Sequence, residues 1–283
     1  MRVVEDRSGL RAAVRGWRAE HRSVALVPTM GALHDGHLSL VDAARSLGGA
    51  VVASVFVNPL QFGPHEDLAR YPRDLAGDRR RLESRGVDLL FAPPVDEMFP
   101  RAPAVTVDPG PLGRRLEGEI RPGHFAGVLT VVAKLFHLAE PDVAFFGQKD
   151  IQQVTLIRQM VRDLNWPLSI AVVPTVREPD GLALSSRNAF LSPAERNRAS
   201  VLFRALSAVQ AAWRNGVADV PTLDQVAHGV FASESTVTVD YIAIVDPDRL
   251  EPVVAAAPGS VVAVAARLGS TRLIDNLTLG TGG

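Results

Sequence analysis

The chain has 283 residues, 47% of them hydrophobic and 22% charged, which is the balance of a soluble globular protein with ample material for a core; its length suggests two domains at about 150 residues each. Lys plus Arg number 30 against 31 for Asp plus Glu, so there is no excess of positive charge to hold a nucleic-acid backbone. No cysteine occurs, which excludes disulfides, thiolate metal sites and a cysteine nucleophile.

The start, Met1-Arg2-Val3-Val4-Glu5-Asp6, carries acidic residues where a secretory signal needs an apolar run, and no later stretch is long and uncharged enough to cross a bilayer. The expectation is a cytoplasmic protein with neither membrane nor nucleic acid as a partner.

Ser23 to Val27 predicts a buried strand, and Leu38, Leu40, Val41, Ala44 and Leu47 recur at helical spacing. Between them lies Val27-Pro28-Thr29-Met30-Gly31-Ala32-Leu33-His34-Asp35-Gly36-His37. A helix start exposes unpaired N–H groups at its positive end and attracts anions; His34 and His37 fall on one face and can add donors to the same oxygens. Gly31 and Gly36 allow a close approach of backbone. This segment is therefore a candidate phosphate site.

Ala50 to Val57 follows as strand, Leu75 to Ser84 as helix ending near Gly86, and Asp88 to Phe91 as strand. Beyond a less regular stretch from Pro93 to Gly123 come a helix over Val128 to Leu138, a strand over Val143 to Phe146, a helix over Ile151 to Leu164 and a strand over Leu168 to Val173. Strands apolar on both faces belong to a mostly parallel sheet covered by helices, a doubly wound α/β fold that binds ligands beyond the carboxyl ends of its strands. From Val176 the pattern changes. A polar loop, Arg177 to Asn188, leads to Ser192-Pro193-Ala194-Glu195, a helix start with a capping box, and one long helix is expected through Trp213. Another helix begins beyond Pro221, and Val237 to Val245, Ser260 to Ala266 and Thr271 to Ile274 read as strands, with Val237, Val239 and Tyr241 alternating. The expected division is 1–175 as a Rossmann-like domain and 176–283 as a smaller α+β domain.

Three further segments stand where a doubly wound sheet keeps its site. Asn58 and Gln61 close the strand beginning at Ala50, and amides offer both donor and acceptor, as a substrate with hydroxyls and a carboxylate requires. Gly147-Gln148-Lys149-Asp150 ends a strand and opens a helix; the ammonium of Lys149 suits phosphate oxygens, Asp150 can accept from a ribose hydroxyl or cap the helix, and Gln153 points back from the first turn. In Arg177 to Asn188, the Ser185-Ser186-Arg187 run can close over a triphosphate.

Together the blocks V-P-T-M-G-A-L-H-x-G-H, F-V-N-P-x-Q-F, Y-P-R, R-P-G-H-F, F-G-Q-K-D and S-S-R-N, in this order, resemble pantothenate synthetase (pantoate:β-alanine ligase) over nearly the whole chain. The histidine and Ser-Ser-Arg segments also resemble the wider nucleotidylyltransferase superfamily that includes class I aminoacyl-tRNA synthetases. The resemblance implies ATP-dependent condensation of (R)-pantoate with β-alanine through a pantoyl adenylate, releasing AMP and pyrophosphate. It implies phosphate binding and catalysis by His34, His37, Lys149 and Arg187. ATP contacts are implied at Met30, Gly31, Ala32, Leu33, Asp35, Gly36, Gly147, Gln148, Asp150, Val176, Leu184, Ser185 and Ser186, and backbone contacts also at Pro28 and Thr29. Gln61 and Gln153 are implied to hold pantoate, with Asn58 completing the wall and Tyr71 close by. His37 is also the family's candidate proton donor. Magnesium is implied to travel mainly on the ATP phosphates, and of the thin acidic set Asp74-Leu75-Ala76-Gly77-Asp78 the best candidate ligand is Asp78. Leu184 stands where many relatives have methionine. The resemblance further implies a homodimer. The alternatives are adenylyl transfer to a phosphate, which calls for more cations, and an ATP-sensing module, which leaves Gln61 and Gln153 without a role.

Overall fold

The computed structural model describes residues 1–64 and 66–280, so the last three residues of the expected C-terminal domain lie outside the described residues. The chain divides into two compact units: 1–147 with 152–174, and 148–151 with 175–283.

In the first unit the strands are β1 (Arg2–Val4), β2 (Val24–Thr29), β3 (Ala50–Val55), β4 (Leu89–Phe91), β5 (Val143–Gly147) and β6 (Ser169–Val173). The helices are α1 (Arg7–Ala19), α2 (Asp35–Arg45), α3 (Leu75–Ser84), the short α4 (Val95–Met98) and α5 (Glu117–Ile120), α6 (His124–Ala139) and α7 (Ile151–Asp163). All strand pairs are parallel, in the order β1-β4-β3-β2-β5-β6. Strand residues alternate between two cores. Val24, Leu26, Val52, Leu89, Phe91 and Phe146 pack with Leu10 and Val14 of α1, with α6 and with Ile157 of α7. Ala25, Val27, Val51, Ala53, Leu90 and Phe145 pack with Leu40 and Val41 of α2 and Leu82 of α3. Burial on both faces is what the unbroken apolar runs require, and it gives the doubly wound arrangement.

The chain leaves β2 toward β3 and later returns to place β5 on the other side of β2. The order of strands thus reverses at β2, and the carboxyl ends of β2 and β5 flank the crevice where such sheets bind ligands.

The second unit holds α8 (Pro193–Ala199), α9 (Val201–Arg214), α10 (Val220–Phe231) and the antiparallel sheet β7 (Val237–Val245), β8 (Val261–Leu268) and β9 (Thr271–Thr278). Leu202, Leu206 and Val209 of α9, Leu223 of α10 and Val262, Val264 and Ala266 of β8 form its core.

Several details differ from the sequence reading. β1 and α1 lie outside the elements it predicts; their signal is Asp6, whose carboxylate caps α1 at Gly9 N, followed by Leu10 and Val14 one turn apart. The single helix expected from Ser192 is interrupted at Ser200, whose amide turns to Arg198 O and breaks the i to i−4 ladder. Pro221 lies within the first turn of α10, capped by Asp219, rather than ahead of it. The alternation of Val239 with Tyr241 fails because the register shifts between them, leaving Asp240 to hold Arg267 and Arg272 at 3.0 and 2.5 Å.

Candidate active site

β2 ends in a turn with two consecutive left-handed residues, Gly31 (φ 84°) and Ala32 (φ 50°). Thr29 Oγ1 accepts from Gly31 N at 3.2 Å and donates to Ser54 O at 2.7 Å, which ties the turn to β3. Asp78 reaches in from α3: its carboxylate accepts from Ala32 N at 2.9 Å and from Leu33 N at 2.7 Å. A β-carbon on residue 31 would stand 2.8 Å from Asp78 Oδ2, so glycine is needed there for space as well as for φ. Burial pushes the Asp78 carboxyl above its usual range, more than the two amide bonds draw it down.

Asp78 is 3% exposed with both oxygens bonded to the turn, so it organises the loop. Leu33 packs in the core with its amide held by Asp78.

His34 caps α2 in extended conformation (φ −133°, ψ 175°) and His37 is the third helical residue. His34 N donates to His37 Nδ1 at 3.3 Å, and the two rings lie 4.1 Å apart. In the neutral ring an accepting Nδ1 leaves the proton on Nε2, which defines the nitrogen of His37 that can donate. Asp35 and Gly36 form the first turn of α2 between them.

Past β3, Asn58 caps the 3-10 turn Pro59–Gln61 by accepting from Leu60 N at 3.2 Å. Its Nδ2 donates to Gln61 Oε1 at 3.0 Å and to Gly127 O at 3.1 Å. Asn58 is 1% exposed, and its amide orients Gln61. Gln61 Nε2 lies 3.1 Å from Met30 Sδ, which brings this amide against the loop after β2. Tyr71 is buried with its ring edge-on to Phe62. Gln153 lies half-buried in the first turn of α7, and its neighbour Gln152 is turned inward, holding Glu117 N and Arg115 O.

Sequence reasoning names the R-P-G-H-F block without giving it a task. His124 Nδ1 stands 2.8 Å from Gln61 O, its Nε2 stands 3.0 Å from an Arg121 nitrogen, and Arg121 clamps Glu66 at 2.8 and 2.5 Å. Burial, then the Arg121 charge, lowers the His124 pKa from its ordinary 6.5 to about 4. The ring is therefore neutral at pH 7, with Nδ1–H donating to Gln61 O and Nε2 accepting from Arg121. The available signal is a histidine beside an arginine at the start of an apolar helix; its partner is 63 positions away.

In the second unit, Gln148–Asp150 form a 3-10 turn. Val176 and Leu184 are joined by Leu184 N donating to Val176 O at 3.0 Å, in a hairpin bridged by Arg177 and Ala183 and turned at Gly181 (φ 91°). Ser185 then caps the 3-10 turn Ser186–Phe190 by accepting from Arg187 N at 3.3 Å. Lys149 and Ser185 line one small cavity with Asn188 and Asp275. The structure thus brings Met30, His34, His37 and Gln61 to one end of the parallel sheet, and Lys149 and Ser185 together within the second unit; Gly147 is the last residue of β5. Among the described residues no group of three or more His, Asp or Glu side chains is arranged to hold a metal ion.

A doubly wound sheet with a paired-histidine helix start at its reversal point, beside orienting amides, is the arrangement of a nucleotide-binding α/β protein. The chain belongs to the pantoate-β-alanine ligase family, whose model matches residues 2–278. It is 51% identical to the pantothenate synthetase of Koribacter versatilis, covering 100% of this chain and 97% of that one. The pantothenate synthetase structure from Thermus thermophilus superposes with a TM-score of 0.94 at 50% identity, covering 98% of this chain and 99% of that one. The pantoate-β-alanine ligase of Francisella tularensis, solved in complex with β-γ ATP and β-alanine, superposes with a TM-score of 0.78 at 32% identity, covering 100% and 99%. The activity of this chain is pantoate-β-alanine ligation, the synthesis of pantothenate.

Proposed function

We propose that the ligation runs in two steps on ATP brought in with magnesium. One oxygen of the pantoate carboxylate attacks the α-phosphorus and the bond to pyrophosphate breaks, giving pantoyl adenylate. The β-alanine amine then attacks the acyl carbon, the bond to AMP breaks, and the nitrogen gives its proton to solvent. Gln61 and Gln153 hold pantoate by its carboxylate and hydroxyls, with Asn58 fixing Gln61. Met30, Gly31, Ala32, Leu33, Asp35, Gly36, Gly147, Gln148, Asp150, Val176, Leu184, Ser185 and Ser186 bind ATP.

His34, His37, Lys149 and Arg187 gather the phosphates and stabilise charge developing on pyrophosphate, with His37 Nε2–H donating a hydrogen bond. This is electrostatic and positional catalysis and requires no covalent enzyme intermediate. Residues 1–175 serve as the nucleotide and pantoate domain and 176–283 as a lid. The protein works as a homodimer in the cytoplasm.

The observation that supports this reading is the contact of Gln61 Nε2 with Met30 Sδ, which sets the Gln61 amide against the loop that enters the histidine helix. An attacking acid held by Gln61 is thereby next to the nucleotide loop.

The test combines product analysis with exchange. Protein, ATP, magnesium, pantoate and β-alanine yield pantothenate, AMP and pyrophosphate by mass spectrometry. Without β-alanine, labelled pyrophosphate enters ATP only when pantoate is present. Formation of ADP and phosphate, or absence of pantoate-dependent exchange in protein that still makes pantothenate, overturns the adenylate route.

A further inference from the structure

The strand β9 carries a pair of buried polar residues, Asp275 and Asn276, to which no sequence motif draws attention. Asn276 is 2% exposed, and its Nδ2 donates to Gln148 O and to Lys149 O, both at 2.9 Å. One nitrogen with two hydrogens thus serves two consecutive carbonyls, which is the full donor capacity of an amide. Its Oδ1 is buried without a hydrogen-bond partner among the described residues. A buried acceptor left unsatisfied is costly, so the geometry at those two carbonyls outweighs it.

Asp275 binds the other segment. Its carboxylate accepts from both terminal nitrogens of Arg177, at 2.6 and 3.0 Å, and from Asn276 N at 2.8 Å. Arg177 also donates to Gly181 O at 3.1 Å and lies 4.4 Å over the ring of Phe203, so the hairpin that ends in Leu184 and Ser185 is fixed to the same strand.

We propose that Asn276 and Asp275 are positioning residues for ligation: Asn276 sets the backbone of Lys149, and Asp275, through Arg177, sets the hairpin carrying Ser185, so that one strand holds both cationic and hydroxyl phosphate contacts in register. This rests on the reading that Lys149 faces the ATP phosphates. Holding its carbonyl and its neighbour's restrains the Lys149 backbone, which is the preorganisation that electrostatic catalysis needs.

The test is a double-mutant cycle with Lys149→Ala and Asn276→Ala, read as kcat/KM for ATP with pantoate saturating. Asn276→Ala alone lowers kcat/KM for ATP by roughly 10- to 100-fold, the scale of a misplaced catalytic group, while KM for pantoate stays within about twofold. In the Lys149→Ala background the same change costs less than about twofold, because the group it positions is gone. Equal losses in both backgrounds, or no loss in Asn276→Ala, overturn the positioning role while Lys149 keeps its own. Wild-type turnover in Lys149→Ala overturns the phosphate reading of Lys149 and this proposal with it. Should Asn276→Ala not fold, Asn276→Ser, which retains one donor, goes through the same cycle with a smaller expected loss.

Discussion

Asp78, buried, and His124, half-buried, illustrate how single polar groups hold the loops of this site in place. Asp78→Asn preserves shape but turns an N–H donor toward one of the two amides now held, so it is expected to cost about 1–3 kcal/mol in thermal or urea unfolding. Because Asp78 serves the turn, the magnesium concentration for half-maximal rate stays unchanged; an increase would return it to the metal. His124 titrates lower in the folded protein, about 4, than its ordinary 6.5. Between those values the unfolded chain binds more protons, so the stability from the neutral ring is fully present above pH 6.5 and is lost as pH falls toward 4. The amount at stake is on the order of 3 kcal/mol. His124→Asn retains a donor near Gln61 O and cannot titrate, so urea unfolding from about pH 7 to about pH 4 gives a flatter acid slope than in the unmodified protein. Parallel slopes would show that His124 does not carry this loss.

At the scale of elements, α6 is the backstop of the amide turn. Gly127 stands where the helix meets Leu60 and Gln61: a β-carbon there would lie 2.1 Å from Leu60 O and 2.7 Å from Gln61 N. Alanine ordinarily stabilises a helix interior by ~1 kcal/mol over glycine. Here the clash with backbone reverses the sign, and Gly127→Ala is expected to destabilise by about 1–3 kcal/mol. Since the turn it displaces carries Gln61, KM for pantoate rises by roughly tenfold while KM for ATP is little changed. A rise in the ATP value alone would place the effect elsewhere. The same close approach accounts for Asn58, which reaches both Gln61 and Gly127 O from one nitrogen.

At the scale of the whole molecule, the sequence by itself determined the class of fold and the family. Runs such as Ala50 to Val55 are apolar on both faces, and that pattern admits little but a covered parallel sheet. Ser192 with Glu195 announces a helix start that is present as a capping box, and the ordered blocks from Val27 to Asn188 identify a pantoate-β-alanine ligase. Missing from that reading are the tasks of the supporting residues. Asp78 bonds a turn 45 and 46 positions earlier, His124 a carbonyl 63 positions earlier, and Asn276 two carbonyls 127 and 128 positions earlier. Strand order is equally silent in the chain, yet it alone puts β5 beside β2. Periodicity and capping act within a turn or a strand and can be read locally. A buried polar group acquires its partner only when packing removes water from both, and that pairing is decided by the tertiary structure.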